Sequence, residues 1–492
     1  MGKDSLDPQL STTVRVLNQF FYARDIWQAT RKLTIEYGVR FERYPYATTR
    51  THGSVNYDAV TNTASIGGIG GVPGNAYVDT GIGQLLPRVG IAYRVDDKTV
   101  VRAGFGLNAD PQNFWTELYI YPTIISASQV GSSSFTPAGS LATGLAPVVF
   151  PDLSTGKVQL PTSVTTDGNV PKYRVGYTES YNFTVQRDVG KGFNAQVAYV
   201  GTHGVRLLSD LNYNAAGPGQ GVAGGAMYQK WGNPNPITQE TPWQGGRYDS
   251  LQTQLTRRVA DAQLGVIYTF SKAINWADNE ITTSPAWNWG PVLGRNRALA
   301  SYDRTHNFEI WSIYSLPFGH GQHYLTEGLG AAILGGWELT PILERISGTP
   351  FTVSSSGASL NAPGNAQTAD QVVSNVAILG GHGPNSPYFD PNAFAPVSAV
   401  RFGSTGRNIL RGPGVFVLNL GLVRNFRLKE SLKLQFRAEA YSLTNTPNYG
   451  NPGGTVSNAS FSNGQLTSYG GYDIISSSTG QRQIRFALKL TF

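Results

Sequence analysis

The chain has 492 residues, of which 14% are charged and none is cysteine, so disulfide frameworks, thiolate metal sites and cysteine nucleophiles are excluded. Its 58 glycines, 25 tyrosines and 22 phenylalanines favour turns and strands over helices. The formal net charge of +7 comes from dispersed Lys and Arg side chains, whereas nucleic-acid footprints cluster on one face, and we expect no nucleic-acid partner.

Composition is nearly uniform along the chain, which favours a single large all-β domain spanning residues 1–492. No run of about 18 apolar residues occurs, so no transmembrane helix is expected. Residues 1–10 lack the basic and apolar regions of a secretory signal. Either the protein stays inside the cell or the chain lacks its true beginning.

Strict alternation of apolar and polar residues is the strongest signal in the chain. From Leu33 to Phe41 each apolar residue is followed by a polar residue or glycine, and the same pattern recurs in residues 432–440 and, except for Ala487, in residues 484–492. Side chains of successive strand residues point to opposite faces, so each segment has one apolar and one polar face. Tilted strands of nine to eleven residues are long enough to cross a membrane. A soluble sheet with one wet face remains the alternative.

Weaker alternation predicts further strands, to give about thirteen in all. Their predicted bounds are 19–28, 86–95, 99–108, 180–188, 193–202, 250–258, 262–271, 307–316, 337–347 and 415–426.

Short and long connections alternate between these strands. The predicted short turns lie at 29–32, 96–98, 190–192, 260–261 and 429–431, and the long connections at 45–85, 109–178, 203–248, 272–306, 350–413 and 445–481. Short periplasmic turns and long extracellular loops are typical of outer-membrane barrels, and a soluble sandwich has no reason to separate them. The exception is Pro317 to Gly336, a long connection on the short side that the pattern leaves unexplained.

An odd strand count is irregular, because bacterial single-chain barrels have an even number with both ends inside. We therefore expect a partial transmembrane antiparallel outer-membrane β-barrel whose first strands precede the chain.

Several segments resemble one known family, the Oar-like TonB-dependent receptors, which carry a carboxypeptidase-regulatory-like domain and are abundant in Acidobacteria. The matching segments are LLPRVGIAYRVDDKTVVRAGFG (85–106), SYNFTVQRDVGKGFNAQVAYVGTHGVRLL (180–208), YDSLQTQLTRRV (248–259), YTFSKAINWADN (268–279), YDRTHNFEIWSIYSLPFG (302–319), GGWELTPILERISGTPFTV (335–353), GRNILRGPG (406–414) and NFRLKESLKLQFRAEAYSLTNTPNYGNP (425–452). The resemblance covers nearly the whole chain after about residue 30.

The resemblance implies the C-terminal part of a plugged barrel of roughly 22 strands in a Gram-negative outer membrane. The family's signal peptide, regulatory-like domain, TonB box, plug and first strands have no counterpart in this sequence. Contact with the TonB complex would then run only through the missing N-terminal region.

Two groups of residues near the C-terminus are candidate functional residues. Phe492, Leu490, Leu488 and Phe486 form an alternating strand with a terminal aromatic residue, which resembles the signal that the barrel-assembly machinery recognises. Arg437, Glu439, Arg485 and Lys489 lie on the opposite faces of their strands and are expected to face a polar lumen. Facing outer-membrane lipid, such charges would cost a few kcal/mol near the midplane.

Aromatic residues near strand ends predict two girdles at the lipid headgroups. The candidates are Phe20, Phe21, Tyr22, Trp27, Trp311, Tyr314, Tyr441 and Tyr449.

No motif predicts catalysis, a cofactor or a metal ion. His320 and His323 form an H-x-x-H, yet their glycine neighbours indicate a turn and no third ligand is evident. The other histidines, including His52, also lie in loops or at strand ends. The glycine-rich segment from Ser65 to Gly74 lacks the Lys of a phosphate loop and is expected to be a flexible outer loop.

The leading hypothesis is therefore a receptor barrel that takes part in TonB-dependent ligand binding and uptake once joined to its plug. A non-transporting surface or adhesion protein is the alternative from another class. A passive porin would need an even strand count, and an enzyme would need a nucleophile, a base and an orienting group. The extracellular ligand could be a peptide, protein, glycan or siderophore.

Overall fold

Thirteen antiparallel strands follow one another in chain order through one sheet. The computed structural model describes residues 15–48, 54–111, 120–127, 131, 135–137, 139–140, 142–144, 150–259, 261–278, 284–429, 432–463 and 465–492. The strands are β1 (Gln19–Gln28), β2 (Leu33–Arg43), β3 (Gln84–Arg94), β4 (Thr99–Asp110), β5 (Gly176–Gly190), β6 (Phe193–Asn212), β7 (Ile237–Val259), β8 (Ala262–Asn275), β9 (His306–Ser315), β10 (Trp337–Ile346), β11 (Val415–Lys429), β12 (Leu432–Tyr441) and β13 (Gln483–Thr491).

All thirteen predicted strands are confirmed in order, and the largest differences are at the ends of β6 and β7. The predicted connection 203–248 is much shorter, because these two strands continue to pair with each other as far as Asn212 opposite Thr238. The register shifts between Gly204 and Leu207, where a bulge redirects the hairpin. Above this bulge a short strand, Val164–Asn169, pairs in parallel with β7.

The short turns are fixed by residues suited to tight backbone geometry. Gly190, Lys191 and Gly192 all have positive φ, which glycine adopts at little cost. The carboxylate of Asp96 accepts a hydrogen bond from the backbone N–H of Lys98 at 2.8 Å. The turns at 260–261 and 429–431 include residues 260, 430 and 431, which lie outside the described residues.

Strand register gives the sheet two chemically distinct faces. Leu255, Val266, Ile310, Leu343 and Leu418 are successive partners across five strands and therefore share one face, called the apolar face below.

The neighbouring row lies on the opposite side, called the polar face. It runs from Gln254 through Ile267, Glu309 and Glu344 to Val417. Because side chains alternate along each strand, the whole sheet separates apolar from polar residues in this way.

Burial is distributed in the opposite sense to that of a water-soluble protein. Large apolar strand residues are exposed, including Phe486 at 72%, Leu488 at 69% and Leu85 at 68%. The largest fully buried side chains, by contrast, are mostly in the long connections, with Trp287 and Tyr57 among them. An apolar surface of this extent is expected to be covered, and lipid is the cover that strand length and loop layout indicate.

The long connections pack against one another above the sheet and form hydrophobic cores. One core joins residues of the first three, with Tyr57, Tyr121, Val158 and Ile237 at its centre. The short helix α1, Ala226–Trp231, contributes Met227 to this core.

A second core joins connections 350–413 and 445–481 around Phe389. Its ring contacts Phe394 and Tyr472 edge-to-face, at centroid distances of 5.7 and 5.6 Å. The long connections form a packed layer, called the loop layer below.

The glycine-rich segment is part of this layer, and the prediction of a flexible loop there is wrong. Gly70 has a φ of 56°, and a Cβ atom at that position would lie 1.9 Å from the carbonyl oxygen of Thr155. The segment is held by close backbone packing that only glycine permits.

The sheet has two edges. Within the described residues, β1 pairs only with β2, and β13 pairs only with β12. Because consecutive strands alternate in direction and the count is odd, β1 and β13 run the same way.

The connection from Pro317 to Gly336 contains a short helix, α2, Gly328–Leu334, at the short-turn end of the sheet. Among the described residues no helix is long and apolar enough to span a membrane.

The two-face arrangement predicts that adjacent substitutions in β8 differ strongly in their effect on stability. Val266→Lys places a charge on the apolar face and should destabilise the chain in lipid by about 2–4 kcal/mol. Ile267→Lys, on the polar face opposite Glu309, should be close to neutral. The measurement is a urea titration of each variant in lipid vesicles, and equal destabilisation by both would contradict the assignment of the faces.

Candidate functional site

Two adjoining cavities open on the polar face at the long-loop end of β7 and β8. Their volumes are about 330 and 310 Å³, and Tyr248, Ala273 and Tyr302 line both. Tyr302 is 60% exposed, so its ring is available to a bound molecule. We call this pair of cavities the mouth site.

Most polar groups that line the cavity of about 310 Å³ in the mouth site are uncharged. Gln252 lies opposite Thr269, and Thr269 lies opposite Asn307, which places three hydrogen-bonding side chains in one row. Such side chains can both donate and accept hydrogen bonds.

A third cavity, of about 400 Å³, lies near the short-turn end of β5 to β7. Gln186, Gln196 and Gln254 are successive partners there and all line it. Asn194 also lines it and accepts a 3.0 Å hydrogen bond from the side-chain amide of Gln186. Together with Gln252 these residues form a band of amides along the polar face, which we call the amide stripe.

A buried ion pair attaches the loop layer to this end of the sheet. The guanidinium of Arg407 donates to Asp278 Oδ2 at 2.9 Å and to the carbonyl oxygen of Asn275 at 3.0 Å. The side chain of Arg407 is only 9% exposed, and burial lowers its pKa while Asp278 opposes that shift. Asp278 also accepts a hydrogen bond from the backbone N–H of Ser301.

A second ion pair acts beside it. Arg411 donates to Asp303 Oδ2 at 2.6 Å, and the Asp303 side chain is 1% exposed. The other carboxylate oxygen of Asp303 accepts a hydrogen bond from the backbone N–H of Ala273, a residue of the mouth site. The pairs Arg407–Asp278 and Arg411–Asp303, called the two clamps below, hold residues of two connections around the mouth site.

All four clamp residues lie in segments that carried the family resemblance, yet this structural role was not predicted. Arg407 and Arg411 belong to GRNILRGPG, and Asp278 and Asp303 belong to the segments 268–279 and 302–319. Charged residues inside connections otherwise rich in Gly, Pro and Ser are the signal that could have identified them.

A buried carboxyl group joins two connections in the second loop core. Asp473 Oδ1 accepts hydrogen bonds from the backbone N–H groups of Tyr388 and Phe389, at 3.0 and 2.9 Å. Burial raises the pKa of Asp473 to about 7, although these hydrogen bonds lower it.

The residues proposed as an assembly signal lie on or directly after β13, the strand at one edge of the sheet. Phe486 and Leu488 pair with Ala438 and Phe436 on the apolar face, and Leu490 follows them. Phe492 is 95% exposed.

The four charged candidates near the C-terminus share the polar face. Glu439 lies opposite Arg485, and Arg437 lies 3.8 Å from Glu439. Arg485 also lies over the ring of Tyr441, 5.1 Å from its centroid. Lys489 lies opposite Gln435, farther along the same face.

The structure divides the predicted girdle residues between the two faces. Phe21 pairs with Phe41, and Trp27 with Ile35, on the apolar face. Trp311 lies on the polar face, opposite Gly265, where its indole fills the space beside the glycine.

The remaining girdle candidates divide in the same way. Phe20, Tyr22 and Tyr441 also share the polar face, Tyr449 lies in a connection, and Tyr314 is on the apolar face. Aromatic content near strand ends therefore did not determine the face.

The histidines provide no metal centre in the described part of the chain. Gly319 and Gly321 have positive φ, so His320 and His323 lie in a turn, as their neighbours indicated. No group of three or more His, Asp or Glu side chains in the described ranges is arranged to hold a metal ion. His52 lies outside those ranges.

The clamp predicts a large effect for one aspartate and a small effect for another. Asp278→Asn leaves the guanidinium of Arg407, whose side chain is 9% exposed, without its charge partner, and breaking such a pair costs about 3–5 kcal/mol. The matched control is Asp370→Asn, which leaves the Arg401 side chain 54% exposed and solvated and should change stability by about 1 kcal/mol or less. Limited proteolysis of the loop layer measures both, and equal cleavage rates for the two variants would contradict the role of the clamp.

Three solved outer-membrane proteins illustrate what the chain is similar to. The transporter YddB from Escherichia coli is 9% identical, with a TM-score of 0.47, and the alignment covers 96% of this chain and 53% of YddB. The siderophore receptor PirA from Acinetobacter baumannii is 7% identical, with a TM-score of 0.46, and the alignment covers 96% of this chain and 45% of PirA. The ferripyoverdine receptor of Pseudomonas aeruginosa, bound to ferripyoverdine, is 11% identical, with a TM-score of 0.43, and the alignment covers 97% of this chain and 38% of the receptor.

The chain thus spans about half or less of the length of these proteins. A comparison with curated protein sequences found no match. The family model for the outer membrane beta barrel domain matches residues 4–485. This family is one of membrane barrels of the Gram-negative outer membrane, not of enzymes, and the chain belongs to it.

Proposed function

We propose that the chain is the C-terminal barrel region of an Oar-like TonB-dependent receptor, which binds a ligand at its outer mouth and takes part in energised uptake when joined to a plug. The observation that carries this proposal is the polar face of β5 to β8. It has cavities at both the long-loop end and the short-turn end, and the amide stripe lines the cavity at the short-turn end and reaches the mouth site at Gln252.

The clamps support the assignment to this family. The segments that resemble Oar-like receptors supply Arg407, Arg411, Asp278 and Asp303, which fix the loop layer around the mouth site. We expect the same four clamp residues in any related barrel whose loop layer is held around its mouth in this way.

Strand direction supports a barrel completed by upstream strands. In lipid, an unpaired backbone group costs several kcal/mol, so both sheet edges need partners. β1 and β13 run in the same direction, and an antiparallel ring closes only when an odd number of strands is added. In this proposal those strands, the plug and the segment that contacts the TonB complex precede residue 1.

The polar face lines the lumen in this arrangement. Arg437, Glu439, Arg485 and Lys489 then face water or the plug, where their charges carry no lipid penalty. The mouth site and the amide stripe favour a ligand of low charge that offers many hydrogen-bonding groups.

The proposed assembly signal has a direct test. The product of the complete reading frame, in which upstream strands pair with both sheet edges, should reach the outer membrane and give a heat-modifiable band on a gel run with and without boiling. Phe492→Lys should lower the amount of that band several-fold, because it removes the terminal aromatic residue. Thr491→Lys, on the polar face, is the matched control and should have little effect. A soluble folded product would overturn the membrane assignment, and equal assembly of the two variants would overturn the signal.

Uptake is tested with the product of the complete reading frame in its own host. Short uncharged oligosaccharides with a fluorescent label should enter the periplasm, and a protonophore should abolish entry but leave surface binding. Tyr302→Ala should reduce binding several-fold by removing an exposed ring from the mouth site. Tyr324→Ala, which alters an equally exposed tyrosine at the short-turn end, is the control.

The alternative is a surface protein that binds partners through its loop layer and transports nothing. Binding that persists with no protonophore-sensitive entry would favour that alternative. Absence of binding by the oligosaccharides, together with normal assembly, would remove the proposed ligand class.

A further inference from the structure

The connection between β9 and β10 differs from the other short-side turns because it folds into α2 and exposes apolar residues. Leu329 is 81% exposed, Ile333 is 62% exposed and Leu334 is 47% exposed. Before the helix, Tyr324 and Leu325 are 63% and 49% exposed. Five large exposed apolar side chains in one connection are far more than a water-facing turn requires.

The end of α2 is attached to the apolar face of the barrel. Arg424 donates a 2.7 Å hydrogen bond to the carbonyl oxygen of Ile333 and a second hydrogen bond to that of Ala332. These carbonyls lie at the helix C-terminus, where a cation is favoured. The indole N–H of Trp337 also donates to the carbonyl oxygen of Ile333, at 2.9 Å.

Strand register determines which face holds this attachment. Arg424 pairs with Trp337 on one side and with Phe436 on the other, and its strand neighbour on the same face, Leu422, pairs with Leu339. The guanidinium of Arg424 lies over the rings of Trp337 and Phe426, at 5.4 and 4.5 Å from their centroids. The helix is therefore attached to the face that contacts lipid, near its periplasmic end.

The apolar surface of α2 continues the lipid-contacting surface of the strands. Trp337 packs edge-to-face on Phe436 at 5.8 Å, and Phe436 contacts Phe486 at 6.3 Å. Tryptophan and arginine at this level are typical of the boundary between acyl chains and headgroups.

We propose that α2 is an in-plane membrane anchor, which inserts Leu329, Ile333 and Leu334 into the periplasmic leaflet of the outer membrane. Its partner is phospholipid. The guanidinium of Arg424 lies at headgroup level, with its aliphatic part against the aromatic rings. Helices that present an apolar surface to the bilayer lie in the plane of the membrane interface in this way.

The anchor explains why the connection between β9 and β10 is longer than a tight turn. A bare turn would complete the hairpin, so the additional residues serve the contact with lipid. The proposal requires the outer-membrane barrel but is independent of ligand uptake, and the two can fail separately.

Site-directed spin labelling tests the anchor directly, because the chain has no cysteine and each label site is unique. The variants are Leu329→Cys and Ile333→Cys in α2, Leu488→Cys on the apolar face of β13, and Asp97→Cys in the water-facing turn after β3. Each is reconstituted as the full chain in phosphatidylethanolamine vesicles. The measurement is the collision rate of the label with oxygen, which concentrates in lipid, and with a water-soluble nickel complex.

The ratio of oxygen to nickel collisions at 329 and 333 should exceed that at 97 several-fold and approach that at 488. A ratio equal to that at 97, with lipid contact at 488, would overturn the anchor and leave the barrel intact. Low collision rates with both reagents would mean that a protein covers α2, which also overturns it. Water contact at all four positions would overturn the anchor and membrane insertion together.

Discussion

Every backbone N–H and C=O group that enters a bilayer core must find its partner inside the protein, because no water is available there. The thirteen-strand ladder meets this demand between the edges, since each strand from β2 to β12 pairs on both sides. Alternation of side chains follows from the same extended backbone, so one face receives the apolar residues and the other the polar ones. Row by row, as with Val266 between Leu255 and Ile310, the register keeps the faces separate. The sheet thus has an apolar exterior without a core of its own.

Hydrophobic cores form outside the bilayer, where water can also bind backbone N–H and C=O groups. In the loop layer water surrounds the protein, and apolar side chains are again buried, with Phe389 and Trp287 fully enclosed. Polar groups there are satisfied individually by side chains, as when Asp473 accepts two backbone N–H groups. The chain therefore has two folding regimes: a backbone ladder in the membrane and packed loops above it. Predictions from strand periodicity apply only to the first regime.

This division explains how much the sequence could predict. The thirteen strands and their order followed from periodicity, because a two-residue period is visible in one sequence. The packed loop layer did not, since its contacts join residues far apart in the chain, such as Arg407 and Asp278. Nor did aromatic content predict the face of Trp311, which follows Ile310 of the apolar face and therefore points to the polar face, opposite Gly265. The connection containing α2 was identified as an exception but not explained, because its reason is the position of Arg424 on another strand.

The clamps give a physical reason why certain segments of the chain carry a family resemblance. A buried arginine or aspartate is tolerated only with its partner present, because an uncompensated buried charge costs about 3–5 kcal/mol. Arg411 and Asp303 are far apart in sequence, yet each can change only if the other changes with it. The pair of Arg401 and Asp370 is less restricted, since the charge of Arg401, 54% exposed, remains solvated when Asp370 is lost. Segments that build the mouth of the barrel are therefore constrained by electrostatics even where the ligand differs. In the proposed receptor, ligand specificity varies instead through exposed residues such as Tyr302, which is 60% exposed.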